Sequence, residues 1–236
     1  MVHSHKVLDE YSALTGKYLK SAQDKKNKEL IKRVFTRLYP LFIVFKKTNS
    51  KTLKLPYLKE TRSDAMAIVN AGYANNQRYV YILLRCILED VARVVFYYQH
   101  PEEYSWLSEY PKLSLKYCRT PYLVKVYLKR APKIKDIMVK LNYGAKLTEM
   151  YGNYSNYVHA TSEKYFSDSS YIETKNPTTK QINKCVDDVS LTVNIVIAIL
   201  LSYFADNMEL NGIEREMVLR YMPKNLKQYI RREMGF

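Results

Sequence analysis

Along most of this chain apolar residues recur at every third or fourth position, the spacing that lays a continuous apolar stripe down one side of an α-helix. The clearest case is residues 77–99, QRYVYILLRCILEDVARVVFYYQ. There Ile82, Leu83, Leu84, Ile87, Leu88, Val91, Val94 and Val95 fill a broad face that no Pro or Gly interrupts. The pattern predicts a core helix. Within it Arg85, Glu89 and Arg93 stand at i, i+4 and i+8, so three charges share one line on a rod otherwise coated with hydrocarbon. Such a line is either the solvent edge of the helix or a paired network inside the protein, because burying it requires near-complete hydrogen bonding.

The same period places the other elements. Residues 6–21 read as a short amphipathic helix, with Val7, Leu8, Tyr11, Leu14 and Tyr18 apolar, that caps a bundle. A longer helix starts at Lys25 and carries Leu30, Ile31, Val34, Phe35, Leu38, Phe42 and Phe45, with Pro40 expected to kink or interrupt it. Residues 48–61 read as a loop with a short extended piece before Pro56. Ser63 is a credible cap for a helix that continues through SDAMAIVNAGYANN into the 77–99 stretch, bending at Gly72 or Asn75-Asn76. Pro101 suits a first helical turn, with Glu102 and Glu103 at its positive end. Residues 111–119 look irregular, a short helix begins at 121, and beyond a break near Pro132 a helix spans 133–159 with Gly144 and Gly152 as weak points.

Residues 160–178 are polar and turn-rich, and a long helix runs from Thr179 to about Met208. Breaks at Asn211-Gly212 and Pro223 leave two short helices at the end. No repeat of fixed period is present. The expected architecture is all-α: a single multi-helix bundle over residues 1–236 with a long central helix pair. It comprises basic N-terminal helices over 1–62, a bundle core over 63–209 and short C-terminal helices over 210–236.

Composition sharpens this picture in three places. The 38 Lys and Arg against 23 Asp and Glu give a net charge of +15, more than solubility requires. A field of that sign favours polyanions, namely RNA, DNA or an anionic membrane face, while the plain alternative is a set of solvated Lys-rich faces. The charge is concentrated. Residues 1–62 hold 15 basic against 5 acidic side chains, and residues 111–146 hold ten basic side chains against Asp136 alone.

Cys86, Cys118 and Cys185 are odd in number and lack CxxC spacing, so they read as free thiols of a reducing compartment and not as a zinc site. The N-terminus has no apolar signal core, and a cytosolic protein is expected. Its His3 and His5 read as a free end or a cloning remnant. The apolar run within 189–205 is at the short edge of a membrane span, but Ser190, Thr192, Asn194 and Ser202 and the Asp187-Asp188 flank fit a central bundle helix better, so no stable membrane insertion is expected.

Candidate chemistry collects around residues 151–159, YGNYSNYVH, where Tyr151, Ser155 and His159 align at i, i+4 and i+8. In a functional reading His159 is a general acid or base, Arg85 or Arg93 holds a phosphate, and Glu89 orients the imidazole or the arginine. In a structural reading the same groups satisfy one another and fix the register of the bundle. There is no Gly-rich phosphate loop, HExxH or GxSxG motif. The pairs Glu102-Glu103 and Asp187-Asp188 point to different sides of a helix, poor geometry for two metals, and read as first-turn charges. No metal or cofactor is expected.

The helix containing LLRCILED, followed by YYQHPEEYSWL and later by YGNYSNYVHA, resembles bacterial all-helical proteins in which an R-x-x-x-E helix packs on a Y-x-x-x-S-x-x-x-H helix. That group is similar to the HEPN-like domains, many of them RNA-cleaving toxins or abortive-infection and antiphage components. The resemblance covers about residues 63–205. It implies an RNA-directed, metal-independent activity, with bacterial defence or toxin function and pairing into homodimers.

One departure stands out. HEPN ribonucleases carry R-x(4-6)-H on one helix, whereas the positions upstream of His159 are Asn153, Tyr154 and Ser155 and no arginine stands there. Either Arg85 supplies the cation from another helix or the fold persists without the activity; Asn153 can contact a phosphate but cannot replace a guanidinium charge. The expected catalytic set is therefore His159, Arg85 and Glu89. Nucleic acid, RNA in preference to DNA, would be held by Lys25, Lys26, Lys28, Lys32, Arg33 and Arg37, and by Lys125, Lys129, Arg130, Lys133 and Lys135. The alternative is a non-catalytic module for nucleic acid or an acidic protein, in which the Arg85, Glu89 and His159 cluster is structural.

Overall fold

A computed structural model describes residues 8–9, 11–12, 25–48, 56–73, 77–109, 120–159 and 178–236. Ten helices account for nearly all of them, and among the described residues the only β pairing is an isolated bridge between Thr48 and Met208. The protein is an all-α bundle.

Helix α1 spans Lys25–Lys47 without a break at Pro40. Proline removes one backbone donor there. The residues on both sides of it, Leu38, Tyr39, Leu41 and Val44, are nevertheless buried, so packing against neighbouring helices outweighs the lost bond. Helix α2 runs Tyr57–Tyr73 and starts six residues before the expected Ser63 cap. Pro56 presets the entry: its carbonyl accepts from the Lys59 and Glu60 amides at 2.9 and 3.2 Å, and Glu60 sits in the positive first turn. The expected boundary at residue 62 therefore falls inside a helix. The expected loop survives as described structure only at Thr48 and Pro56, because residues 49–55 lie outside the described residues.

Helix α3, Gln77–Gln99, is a separate rod and not a continuation of α2. The two pack along each other, and Tyr57 at the start of α2 stacks on Tyr97 near the end of α3 with ring centroids 5.6 Å apart, so they run antiparallel. A helix–helix hairpin buries the apolar stripes of both, which one long bent helix would leave facing solvent. Eleven residues of the α3 stripe and flank are apolar and buried, and α3 also touches the later helices α5, α7 and α8 described below.

Helix α4 is Pro101–Glu109. Helix α5 begins as Thr120–Tyr122, widens into π turns over Leu123–Tyr127 and closes as Leu128–Arg130. After a 3-10 turn at Pro132–Ile134, α6 covers Lys135–Lys140, and α7 covers Tyr143–His159. The break between α6 and α7 therefore lies at Asn142, whose φ of 57° asparagine tolerates, and not at Gly144 or Gly152. Gly144 serves packing instead. A Cβ there would meet the Met138 carbonyl oxygen at 3.0 Å and the Lys129 Cγ at 3.3 Å, so glycine lets the start of α7 close onto α5 and α6.

Helix α8, Thr179–Phe204, opens with a Thr178–Gln181 capping box. It is long and apolar enough to cross a membrane by composition, yet most of that stretch is buried against other parts of the protein, chiefly α1 and α3. Helices α9, Gly212–Leu219, and α10, Lys224–Met234, follow the predicted breaks, the first capped reciprocally by Asn211 and Glu214. Among the described residues one contiguous apolar core, from Leu30 to Ile230, draws on every helix except α4. The expected helix over 6–21 is described only at Leu8, Asp9, Tyr11 and Ser12, and the Tyr11 hydroxyl donates to the Lys28 carbonyl at 3.1 Å.

Candidate functional site

Helices α3 and α7 meet along a seam, and the charged line of α3 lies in it. Arg85 and Glu89 are largely enclosed, with side chains 17% and 14% exposed. Glu89 is the hub. Its Oε1 accepts from Arg85 Nε at 2.8 Å and from the Tyr151 hydroxyl at 2.7 Å, and its Oε2 lies 3.9 Å from Arg93 Nη2. Arg93 also donates to Asp90 Oδ1 at 2.6 Å and to Thr120 Oγ1 at 3.0 Å, tying in the start of α5. The line is thus a paired network, and its near-complete hydrogen bonding offsets the cost of taking charges out of water.

The network has one open end. Arg85 Nη1 faces the exposed His159 ring, 3.4 Å from Nε2, while Arg85 Nη2 reaches the Tyr151 hydroxyl at the same distance. The guanidinium also sits 5.3 Å from the centre of the Tyr151 ring, over which Lys125 Nζ stands at 5.5 Å. Arg85 and Lys125 therefore converge on one aromatic ring, and the exposed imidazole adjoins the guanidinium. Burial works against the Arg85 charge, but Glu89 and the Tyr151 hydroxyl outweigh it and hold its pKa above the ordinary value. Burial, then the bond to Glu89, pushes the Tyr151 hydroxyl up to about 12, so it stays a proton donor to Glu89.

Asp90 behaves differently. Burial raises its pKa to about 6 although Arg93 pulls the other way. Ser155, aligned with His159 in the sequence, spends its hydroxyl on the Tyr151 carbonyl at 2.6 Å and takes no part in the cluster.

On its other side α7 lines a cleft of about 280 Å³ shared with α8. Tyr81, one turn before Arg85, stacks on Tyr157 at 4.2 Å and donates to Asp188 Oδ2 at 2.9 Å. Tyr154 is tied to Thr192 Oγ1 at 3.0 Å. Burial pushes the Tyr81 and Tyr154 hydroxyls well above their usual range and raises the Asp188 carboxyl, the last against the Tyr81 bond. Asn153 lines this cleft and not the His159 edge, because two adjacent faces of α7 separate them. Asp188 lies in the third turn of α8, not the first, and is half-buried.

The expected phosphate contacts fall into two separate sets, one on α1, which packs against α2, α8 and α9, and one on α5, which packs against α3 and α7, continuing to Lys133 in the 3-10 turn and Lys135 at the start of α6. Lys28 and Lys32 are exposed; Arg33 donates to Asn183 Oδ1 at 2.9 Å, and Arg37 lies 4.2 Å over the Tyr221 ring. Lys25 and Lys26 open α1, and their side chains lie outside the described residues. In the second set Arg130, Lys133 and Lys135 are exposed and Lys125 and Lys129 are half-buried.

Asp90, Thr120, Tyr81 and Arg78, which donates to the Tyr157 carbonyl at 3.0 Å, are parts of the seam that the pattern reading does not name. Extending the i, i+4 line back one turn from Arg85 reaches Tyr81; nothing local marks Thr120. Cys86 and Cys185 are free thiols, half-buried and buried, and Cys118 lies outside the described residues.

No protein family matches this sequence, and neither a curated protein nor a solved structure matches it.

Proposed function

We propose that this protein binds RNA and meets one phosphodiester at the His159–Arg85 edge, with His159 as the group that moves a proton. The observation that carries the reading is the placement of an exposed imidazole 3.4 Å from an oriented guanidinium. A neutral imidazole can accept from Arg85 there. A protonated one sets two cationic donors face to face, an arrangement that an anion between them relieves. Lys125 adds a third cation at the same ring, and the +15 net charge supplies long-range attraction.

In the chemical step His159 Nε2 accepts the proton of a ribose 2′-hydroxyl. The freed oxygen attacks the adjoining phosphorus, and the 5′-oxygen leaves with a proton returned by the imidazole. The products are a cyclic 2′,3′-phosphate and a 5′-hydroxyl, so no atoms are left over. RNA in preference to DNA, a place in bacterial defence or toxin action, and pairing of two copies rest on the sequence resemblance alone.

A second reading draws on Glu89, which already neutralises Arg85 at 2.8 Å. On that view the cluster is a structural brace, and basic surfaces elsewhere hold nucleic acid or an acidic protein. The two readings part on His159→Ala. If the edge is the site, cleavage of an RNA oligonucleotide falls by at least about 100-fold with the helical circular dichroism unchanged. If it is a brace, RNA binding and processing stay as in the parent while Arg85→Ala lowers the melting temperature. Unchanged cleavage, or no cleavage by the parent chain, removes the catalytic step.

A further inference from the structure

The α5 face and the end of α3 combine exposed tyrosine with a run of positive charge. From Thr120 to Lys135 the chain carries Lys125, Lys129, Arg130, Lys133 and Lys135 and no carboxylate. Of the acids on the adjoining elements, Asp90 pairs with Arg93 and Asp136 with Lys140 at 2.8 Å, while Glu102 lies 3.6 Å from His100 and is exposed.

Within this field Tyr122 is 51% exposed and Tyr98 41% exposed, among the few large apolar side chains left so open to water. Tyr98 is braced near-perpendicular to Phe204 with centroids 4.9 Å apart. Tyr122 stands just before the π turns, in which the Leu128 amide bonds to the Leu123 carbonyl, and lies near enough to Tyr127 to act on its hydroxyl. Tyr127 in turn donates to Gln99 and packs edge-on against Phe96. Lys133 Nζ stands 5.7 Å over Tyr203, which also neighbours Tyr98. The tyrosines and lysines therefore alternate over one connected patch.

We infer that this patch is a stacking platform for single-stranded RNA, with Tyr98 and Tyr122 receiving bases and the α5 lysines the phosphates, and that Lys125 leads the strand onto the His159–Arg85 edge. The inference rests on the RNA reading above and narrows it to unpaired strands. Stacking needs an unpaired base with a free π face, which a duplex does not offer at its grooves, and it tolerates any sequence. Lys125 is the physical link, because it stands over the same Tyr151 ring that Arg85 contacts.

The test uses the full chain and fluorescence anisotropy with a labelled adenosine oligoribonucleotide and a fully paired RNA hairpin of equal length. Tyr98→Ala and Tyr122→Ala should each weaken single-strand binding by about fivefold or more without changing its salt dependence, and leave hairpin binding as in the parent. Tyr122→Trp should restore or strengthen it. Lys125→Ala and Lys133→Ala should weaken both ligands and flatten the salt dependence. Equal affinity of the parent for strand and hairpin, or tyrosine variants that bind as the parent does, overturns the platform while leaving the His159 edge standing. Platform variants that lose binding while His159→Ala retains full activity do the reverse. A parent chain that binds neither ligand removes both.

Discussion

Helix α7 faces two polar clusters, and they are built on opposite plans. Toward α3 it contributes Tyr151 and His159 to a network of formal charges that ends in water. Toward α8 it contributes Tyr154 and Tyr157 to hydroxyl groups, rings and one carboxylate, in which Tyr154 is fully buried. Phenols carry their polarity on a large apolar body, so a tyrosine can sit in a core and still satisfy Asp188 and Thr192. Guanidinium and carboxylate have no such body, and they hold together inside only by neutralising one another. The tyrosine cluster is therefore a packing device with polar tips. The charged cluster is a balanced circuit in which one cation, Arg85, adjoins the exposed His159 ring.

The comparison breaks hardest at Tyr154. Tyr154→Ala removes a fully buried ring together with its bond to Thr192, and should cost about 3–5 kcal/mol. Urea unfolding followed by circular dichroism would measure it. Tyr154→Phe keeps the ring and should cost only about 1 kcal/mol. If the two variants were equally damaging, the hydroxyl bonds and not the packed ring would hold the α7–α8 side, and the contrast between the two clusters would be misplaced.

On the charged side the effect should be smaller and graded by position. Glu89→Ala leaves Arg85 and the Tyr151 hydroxyl without their acceptor and should destabilise by about 2–3 kcal/mol. His159→Ala, at the exposed end of the same network, should change stability by no more than about 0.5 kcal/mol. A site and a brace differ in this gradient. If His159→Ala proved as destabilising as Glu89→Ala, the histidine would be a structural partner and the open edge an illusion of its exposure.

Sequence pattern reaches some of this and stops at definite points. The i, i+4 line of Arg85, Glu89 and Arg93 was legible because helical period alone puts those side chains together, and Tyr151 and His159 were legible as a matching line on a second helix. That the two lines meet depends on how α3 and α7 cross, which no local signal encodes. The hairpin between α2 and α3 was missed for a related reason: both halves carry the same period, so periodicity does not show where the chain turns back. Pro40 does not interrupt α1: its local cost is visible in sequence, whereas the buried neighbours that outweigh it are not. Asp188 was passed over as a terminal charge because Tyr81, the partner that draws it inward, lies 107 positions away in the chain.

At Asp90 ion pairing and burial oppose each other. Burial raises its folded pKa to about 6, above the roughly 3.9 of an unfolded aspartate, despite an Arg93 contact at 2.6 Å. Between about pH 4 and pH 6 the folded chain then holds more protons at this site than the unfolded chain, so this group's contribution to stability is present at the acid end and lost as pH rises through 6. Asp90→Asn removes the titration. Relative to the parent, the variant should gain about 1 kcal/mol between pH 4 and pH 7, once screening on the Arg93 side is allowed for, read as the difference in melting temperature across that window. Carboxyl chemical shifts give the direct check. A midpoint for Asp90 below 4 would mean that the guanidinium wins over burial, and the parent would then gain on the variant as pH rises, reversing the sign of the difference.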